Sequence, residues 1–522
     1  MADSAETIQR TWRWLYALPL VVIAGLAFAT GCAGPGPDLF PVAPHRVEQL
    51  ADAAEERCYD TDGNGFEDYR ERLAPSGQVI LLRYDLNGDG QIDLEIDRRL
   101  DGSVGAGEEH RHLVILLDSV PFGMVHDLWQ HGRFRLFAPP SRVISPFPVM
   151  TDLSLAELFG TSPSPAVESQ FFDGNRLNSG FMTYAREDNA GWLPYVDYHL
   201  AFLAHGLAYI WPEAWFDHEL GHIQRQFLAS DGSSFVGYCV GPSALGALKG
   251  RSGHLAGLLH VDRLCQAIVH RTLGRVQITL LSDHGHNQAR SKRVPLRRVL
   301  GSCGYRVTES LEAPGDVIVP EFGPVTCASL YTTSPRSVAT DLTNVEGVQL
   351  TAYLDESDQV VVLTRDGEAR IQAGPAGYRY SCTRGDPLKL AAILGELKRS
   401  GQETADGFVS DDVLFEATMD HPYPDAVHRL WRAFHGLIAN QPQVVVSVED
   451  GYHCGSAFMS ELIDLAAAHG NLGEVSSSGF AMTTMGSLPR VVRMENLGQA
   501  LRDLGIPMPP KPPEDRPPPA AH

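Results

Sequence analysis

Asp118 closes the apolar run 113–117, and Asp283 with His284 closes a second run in Ile278-Thr-Leu-Leu-Ser-Asp283-His284-Gly285-His286. Carboxylate and imidazole together suit zinc and similar divalent cations. In an open α/β sheet, ligands collect beyond the carboxyl ends of the strands. One strand-end acid alone is an ordinary loop cap; the set argues for a metal centre. A competing chemistry is His218-Glu219-Leu220-Gly221-His222, the H-E-x-x-H pattern in which two His one helical turn apart bind zinc and the Glu is the general base of a protease. Its context is poor. Six residues beyond His222 stands Leu228, no Glu occurs between His222 and Glu309, and Asp231 is its only local third ligand.

Two further oxygen-rich loops, Asp60-Thr-Asp62-Gly-Asn64-Gly65 and Asp85-Leu-Asn87-Gly-Asp89-Gly90, repeat at a separation of 25 positions. Calcium takes six to eight oxygen ligands, supplied by loop positions 1, 3 and 5, a glycine turn at 6, and an acid near 9 or 12. In the first loop Asp60, Asp62, Asn64 and Glu71 occupy positions 1, 3, 5 and 12. In the second, Asp85, Asn87, Asp89 and Asp93 occupy 1, 3, 5 and 9. Position 12 is Ile96 there, so the bidentate acid of an EF-hand is missing unless Glu95 or Asp97 substitutes. Calcium held this way in an exported protein serves rigidity.

The elements that must position these groups follow from hydropathy. Short continuous apolar runs at 113–117, 276–281 and 444–448 read as buried parallel strands, with helical stretches between them, which is α/β architecture. From about Tyr305 to Tyr380 the rhythm is alternating and broken by Gly and Pro, as in antiparallel hairpins, an insertion into the α/β core. The chain has 522 residues, with 43% hydrophobic and 20% charged side chains, which excludes global disorder and a multi-span membrane protein. Its 42 basic and 64 acidic residues give −22, a field that repels phosphate backbones, so no nucleic-acid polymer is expected as a partner.

At the start, Arg10 and Arg13 precede an uncharged run over 14–29, too short to span a bilayer comfortably. It reads as a signal peptide. Ala29-Thr-Gly-Cys32 resembles a bacterial lipobox, whose cysteine is lipidated, so the protein is expected to be exported to the cell envelope and anchored in a membrane through Cys32. Seven cysteines remain without a C-x-x-C pair, which excludes a zinc ribbon. Cys303, Cys327 and Cys382 fall in the β-rich stretch, where a bridge is plausible.

With these residues in place, the sequence resembles the alkaline phosphatase superfamily, in its type I phosphodiesterase and nucleotide pyrophosphatase branch. Val-Ile-Leu-Leu-Asp118 is similar to the family's first metal-binding strand, and Ser-Asp283-His284-Gly to its second metal motif. Phe147-Pro-Val-Met-Thr151 is similar to the turn carrying its Thr nucleophile, and His469-Gly470 to its last His ligand. The resemblance implies a central, mostly parallel sheet flanked by helices. It implies one divalent ion, zinc or manganese, on Asp118, Thr151, Asp283 and His284, with His469 helping to hold a second. The implied reaction is hydrolysis of a small phosphoric mono- or diester through Thr151. The Asp-x-x-x-His pair that completes the family's second metal site is missing, with Ser243 and Ala247 in its place. A catalytically degenerate envelope binding lipoprotein is therefore the alternative.

The expected organisation is a leader with lipobox over 1–32, a tether over 33–50, an EF-hand-like calcium segment over 51–105 and an alkaline-phosphatase-like core over 106–304. A β-rich insertion over 305–382, the second part of the core over 383–500 and a Pro-rich tail over 501–522 follow.

Overall fold

A computed structural model of the chain describes residues 35–509, apart from 52, 100–109, 169, 179–189, 199–207 and 322. The leader with Cys32 and the end of the Pro-rich tail lie outside the described residues. No described helix is long and apolar enough to cross a membrane.

The first strands form an antiparallel sheet in chain order: β1 (Arg46–Gln49), β2 (Glu55–Tyr59), β3 (Tyr69–Leu73), β4 (Val79–Tyr84) and β5 (Leu94–Asp97). The two Asp-rich loops therefore join strands, β2 to β3 and β4 to β5, where an EF-hand would have helices. They fold alike. Asp60 accepts from the amides of Gly63 and Gly65, and Asp85 from those of Gly88 and Gly90. At position 9, Asp68 accepts from Thr61 N and Asp93 from Leu86 N. Glu71, expected at position 12, is not a loop ligand. It lies on β3, and strand alternation turns it inward, where it accepts from the hydroxyls of Tyr59 and Tyr69 and burial pushes it up to about 7. Glu95 and Asp97 pair with Arg83 and Arg99, so neither replaces it.

This sheet shares its core with the body. Phe40 packs edge-on to Tyr59 at 4.8 Å, and Tyr69 meets His270 at 5.0 Å. The buried Arg98 guanidinium donates to the carbonyls of Gly274 and Val276. The Gly/Pro stretch expected as a tether is docked where it is described: Gln224 bonds both Asp38 N and Asp38 O, and Arg225 donates to Pro35 O at 2.6 Å.

The central sheet is built from β6 (Arg111–Leu117), β7 (Ser141–Ile144), β8 (Ser234–Cys239), β9 (Val276–Leu281), β10 (Ser478–Thr483) and β11 (Val491–Arg493), in the order β8-β6-β9-β10-β7-β11. β6 runs parallel to β8 and β9, and β7 parallel to β11; only β10 is reversed. β6 and β9 are central and covered on both faces, which is why they read as unbroken apolar runs. Each buried Val or Leu contributes roughly 1.5–3 kcal/mol. Packed against this sheet are α1 (Phe122–Gln130), α2 (Thr151–Phe159), α3 (Pro212–Ala229), α4 (Gly241–Lys249) and α5 (Arg251–Arg271).

A second sheet of eight strands carries the hairpins expected after Tyr305. Val444–Val448 belongs to it, antiparallel between Cys327–Thr332 and Val348–Leu354, and is not a parallel strand of the central sheet. Its unbroken apolar character has another cause: Val444, Val446 and Val448 face one core, and Val445 faces another. No bridge joins the cysteines: Cys303, Cys327, Cys382 and the other four among the described residues are free thiols.

Candidate metal centre

Asp118 is the first residue beyond β6. Its amide still bonds Cys239 O at 3.0 Å, and the chain then turns through Ser119, whose φ of 63° ends the strand. The carboxylate is buried and held at both oxygens, accepting from Ser119 Oγ at 2.6 Å and from Tyr238 OH at 2.8 Å. Asp283 leaves β9 in parallel register beside it. Its Oδ1 accepts from the amides of Ser119 and His284, so the two strand ends are tied to each other. Its Oδ2, equally buried, has no hydrogen-bond partner.

His284 approaches Gly285 O with Nδ1, which places the proton there and leaves the Nε2 lone pair facing inward. Nε2 lies 3.2 Å from Asp283 Oδ2 and 3.2 Å from Thr151 Oγ1. Thr151 is the first residue of α2, so its hydroxyl stands beside the amides of the first turn, which have no intrahelical acceptor. Gly285 is required for this approach: a Cβ there would overlap Val475 O and come within 2.9 Å of Ser478 O. His469 Nδ1 donates to Val149 O at 2.9 Å, and its ring stacks on His284 at 4.2 Å.

Ligand atoms of Asp118, Asp283 and His284 all lie within 4.8 Å of one another, and no other such trio of His, Cys, Asp or Glu occurs among the described residues. Burial, and then the neighbouring Asp283, pushes the Asp118 carboxyl well above its ordinary value, and burial pushes Asp283 up to about 6. Burial pulls His284 down to about 4 and His469 to about 3, so both imidazoles are neutral. An orphaned carboxylate oxygen, a second carboxylate and a neutral imidazole lone pair, mutually crowded and dry, are a donor set that fits a divalent cation.

The structure brings Asp118, Asp283 and His284 together, with Thr151 against His284 and the His469 ring stacked on it. Ser243 and Ala247 lie on α4, and Ser243 Oγ lies 3.1 Å from Ser119 Oγ, to which it can donate while Ser119 donates to Asp118. Tyr238, which orients Asp118, was not singled out; an isolated Tyr at the end of a strand matches no motif.

The H-E-x-x-H residues do other work. Glu219 is buried and accepts from Trp215 Nε1, Val240 N and Gly241 N, closing the turn into α4, while burial pushes it up to about 8. His222 Nε2 lies 3.2 Å from Asp197 Oδ1. Glu219→Ala is expected to leave the metal content unchanged. Stranding the two buried amides should cost about 2–4 kcal/mol, read as a lower denaturation midpoint. Metal loss at unchanged stability would revive the protease reading.

No family model and no curated protein matches the sequence. Among solved structures, murine ectonucleotide pyrophosphatase/phosphodiesterase 5 aligns at 13% identity over 77% of this chain and 96% of its own, with a TM-score of 0.42. The human protein of that name aligns at 11% identity over the same shares, with a TM-score of 0.43. An inactive variant of the murine protein in complex with AMP aligns at 12% over 76% and 94%, with a TM-score of 0.40. By name these belong to the branch that the sequence resembles.

Proposed function

We propose that this protein hydrolyses a phosphoric mono- or diester, with the Thr151 hydroxyl as nucleophile at a divalent metal centre held by Asp118, Asp283 and His284. The observation that carries the reading is the convergence of the orphaned Asp283 Oδ2, His284 Nε2 and Thr151 Oγ1 in one buried pocket. Thr151 Oγ attacks phosphorus, the ester oxygen leaves, and water later takes the phosphoryl group from Thr151. The first-turn amides of α2 offer donors to the phosphoryl oxygens. Ser119 and Tyr238 keep both Asp118 oxygens oriented, and burial excludes bulk water from the reacting atoms. The bound cation supplies a Lewis acid that eases loss of the Thr151 proton, and the donor set suits zinc or manganese.

The test is hydrolysis of p-nitrophenyl phosphate and bis-p-nitrophenyl phosphate by the full chain, stripped and then reloaded with zinc or manganese. Metal-dependent turnover establishes the enzyme, and the preferred ester gives its class. Folded, metal-loaded protein without turnover on either ester would transfer the reading to a binding lipoprotein, which the Ser243 and Ala247 positions favour.

The loops of Asp60, Asp62, Asn64 and Asp68, and of Asp85, Asn87, Asp89 and Asp93, belong in this reading as structural calcium sites. Calcium at 100 times its Kd would stabilise by about 2.7 kcal/mol per site. Chelation is therefore expected to lower the melting temperature, with a smaller loss in Asp60→Ala or Asp85→Ala; melting insensitive to calcium removes the sites. Export and membrane attachment through Cys32 complete the proposal, checked by fatty-acid labelling that Cys32→Ala abolishes.

A further inference from the structure

The large apolar side chains most exposed among the described residues are Val42 at 73%, Phe66 at 71% and Leu86 at 57%. All three stand at one end of the first sheet. Tyr59, Tyr69, Tyr84 and Leu94 are successive partners across β2 to β5, so the loops 60–68 and 85–93 leave the sheet side by side, and Asp85 N donates to Asp68 O between them at 3.0 Å. Phe66 belongs to the first loop and Leu86 to the second. Val42 precedes β1 at the same end, where His45 N donates to Cys58 O and the Arg46 guanidinium bonds Glu67. A solitary exposed apolar residue needs no explanation, but the three most exposed ones on adjoining segments mark an interaction surface.

Each loop residue of this set sits among oxygen donors. Phe66 N donates to Asn64 Oδ1, and Leu86 N to Asp93 Oδ2. The donors are all oxygen, which suits calcium, yet neither loop supplies the bidentate acid at its twelfth position. Glu71 is turned inward onto Tyr59 and Tyr69, and Ile96 stands at the corresponding place in the second loop. An ion in either loop would therefore keep coordination positions for oxygens from outside, next to an exposed apolar side chain. A phospholipid offers both partners, a phosphate oxygen for the ion and acyl chain for the side chain.

We propose that this end of the first sheet docks onto an anionic phospholipid bilayer when calcium fills the loops, with Val42, Phe66 and Leu86 entering the boundary between headgroups and acyl chains. The proposal rests on the reading of the two loops as calcium sites. Without the ion the loop carboxylates repel anionic headgroups, and with it the sign of the field reverses. The course of the chain brings a bilayer within reach, because ten residue steps separate Cys32 from Val42, at most about 35 Å. A lipid on Cys32 would hold the body near that surface, and this second contact would fix which way it faces.

The test places a reporter on the face. Phe66→Trp and Leu86→Trp, each in the full chain, are mixed with vesicles of phosphatidylcholine and phosphatidylglycerol whose acyl chains carry bromine, and the emission added to that of the wild type is followed in calcium and then in chelator. Phe458→Trp, exposed on the helix Ala457–Leu462 and outside this sheet, is the control. The added emission at 66 and 86 is expected to be quenched in calcium, to recover on chelation and to be quenched less on phosphatidylcholine alone, while the control does not respond to calcium. Quenching at 66 and 86 no greater than at 458 overturns the docking. Melting curves separate that failure from failure of the calcium reading. A melting temperature raised by calcium without quenching leaves the loop sites standing and removes the docking; quenching that ignores the chelator, with no melting shift, removes the calcium sites and overturns the dependence proposed here. A blue shift of the added emission that grows with protein concentration in the absence of vesicles would seat a second copy of the chain on the face and overturn the bilayer as its occupant.

Discussion

Thr151→Ala is expected to lower metal-dependent ester hydrolysis by on the order of 10³-fold or more, with unchanged metal content and folding. While Asp118, Asp283 and His284 would be occupied by the cation, the Thr151 hydroxyl is the proposed nucleophile. Its removal leaves Asp118, Asp283 and His284 with the hydrogen bonds from Ser119, Tyr238 and the backbone that position them. Thr151→Ser keeps the oxygen and should recover much of the rate. Turnover in Thr151→Ala within a few fold of wild type would show that water attacks directly and that Thr151 is not the nucleophile.

Removing the metal should reverse the pH dependence of stability. In the stripped protein Asp118 and Asp283 are dry and mutually repelling, and Asp283 is raised from 3.8 to about 6. Between those values the folded state binds more protons than the unfolded chain, so stability falls as pH rises through about 4 to 6. The loaded protein needs both carboxylates ionised, so its stability rises across the same window. Melting curves from pH 4 to 8 should therefore diverge with pH, by several degrees at neutrality, and Asp118→Asn should flatten the stripped curve. Parallel curves with and without zinc would show that the pair does not hold the ion.

Asp118, Asp283 and His284 were legible because strand ends are marked in sequence by where an apolar run stops, and a parallel sheet brings such ends together. Thr151 and His469 were reachable only through resemblance, since nothing in their spacing says that α2 and the 469–470 turn meet. The run at 444–448 misled because burial on two faces produces the same apolar string in either sheet. Glu71 misled because counting along a loop ignores that the chain has already entered a strand and alternates.

If Cys32 carries the proposed lipid, the docking of residues 35–38 onto α3 would limit how far the body can stray from a bilayer. Three residue steps separate Cys32 from the docked Pro35, a leash of about 10 Å fully extended. A lipid on Cys32 would confine the pocket to the zone just above the headgroups, so accessible phosphoesters would be membrane lipids themselves or solutes diffusing along that surface. Polymers and particles reaching the envelope from farther out would be screened by distance before any chemistry selects among them.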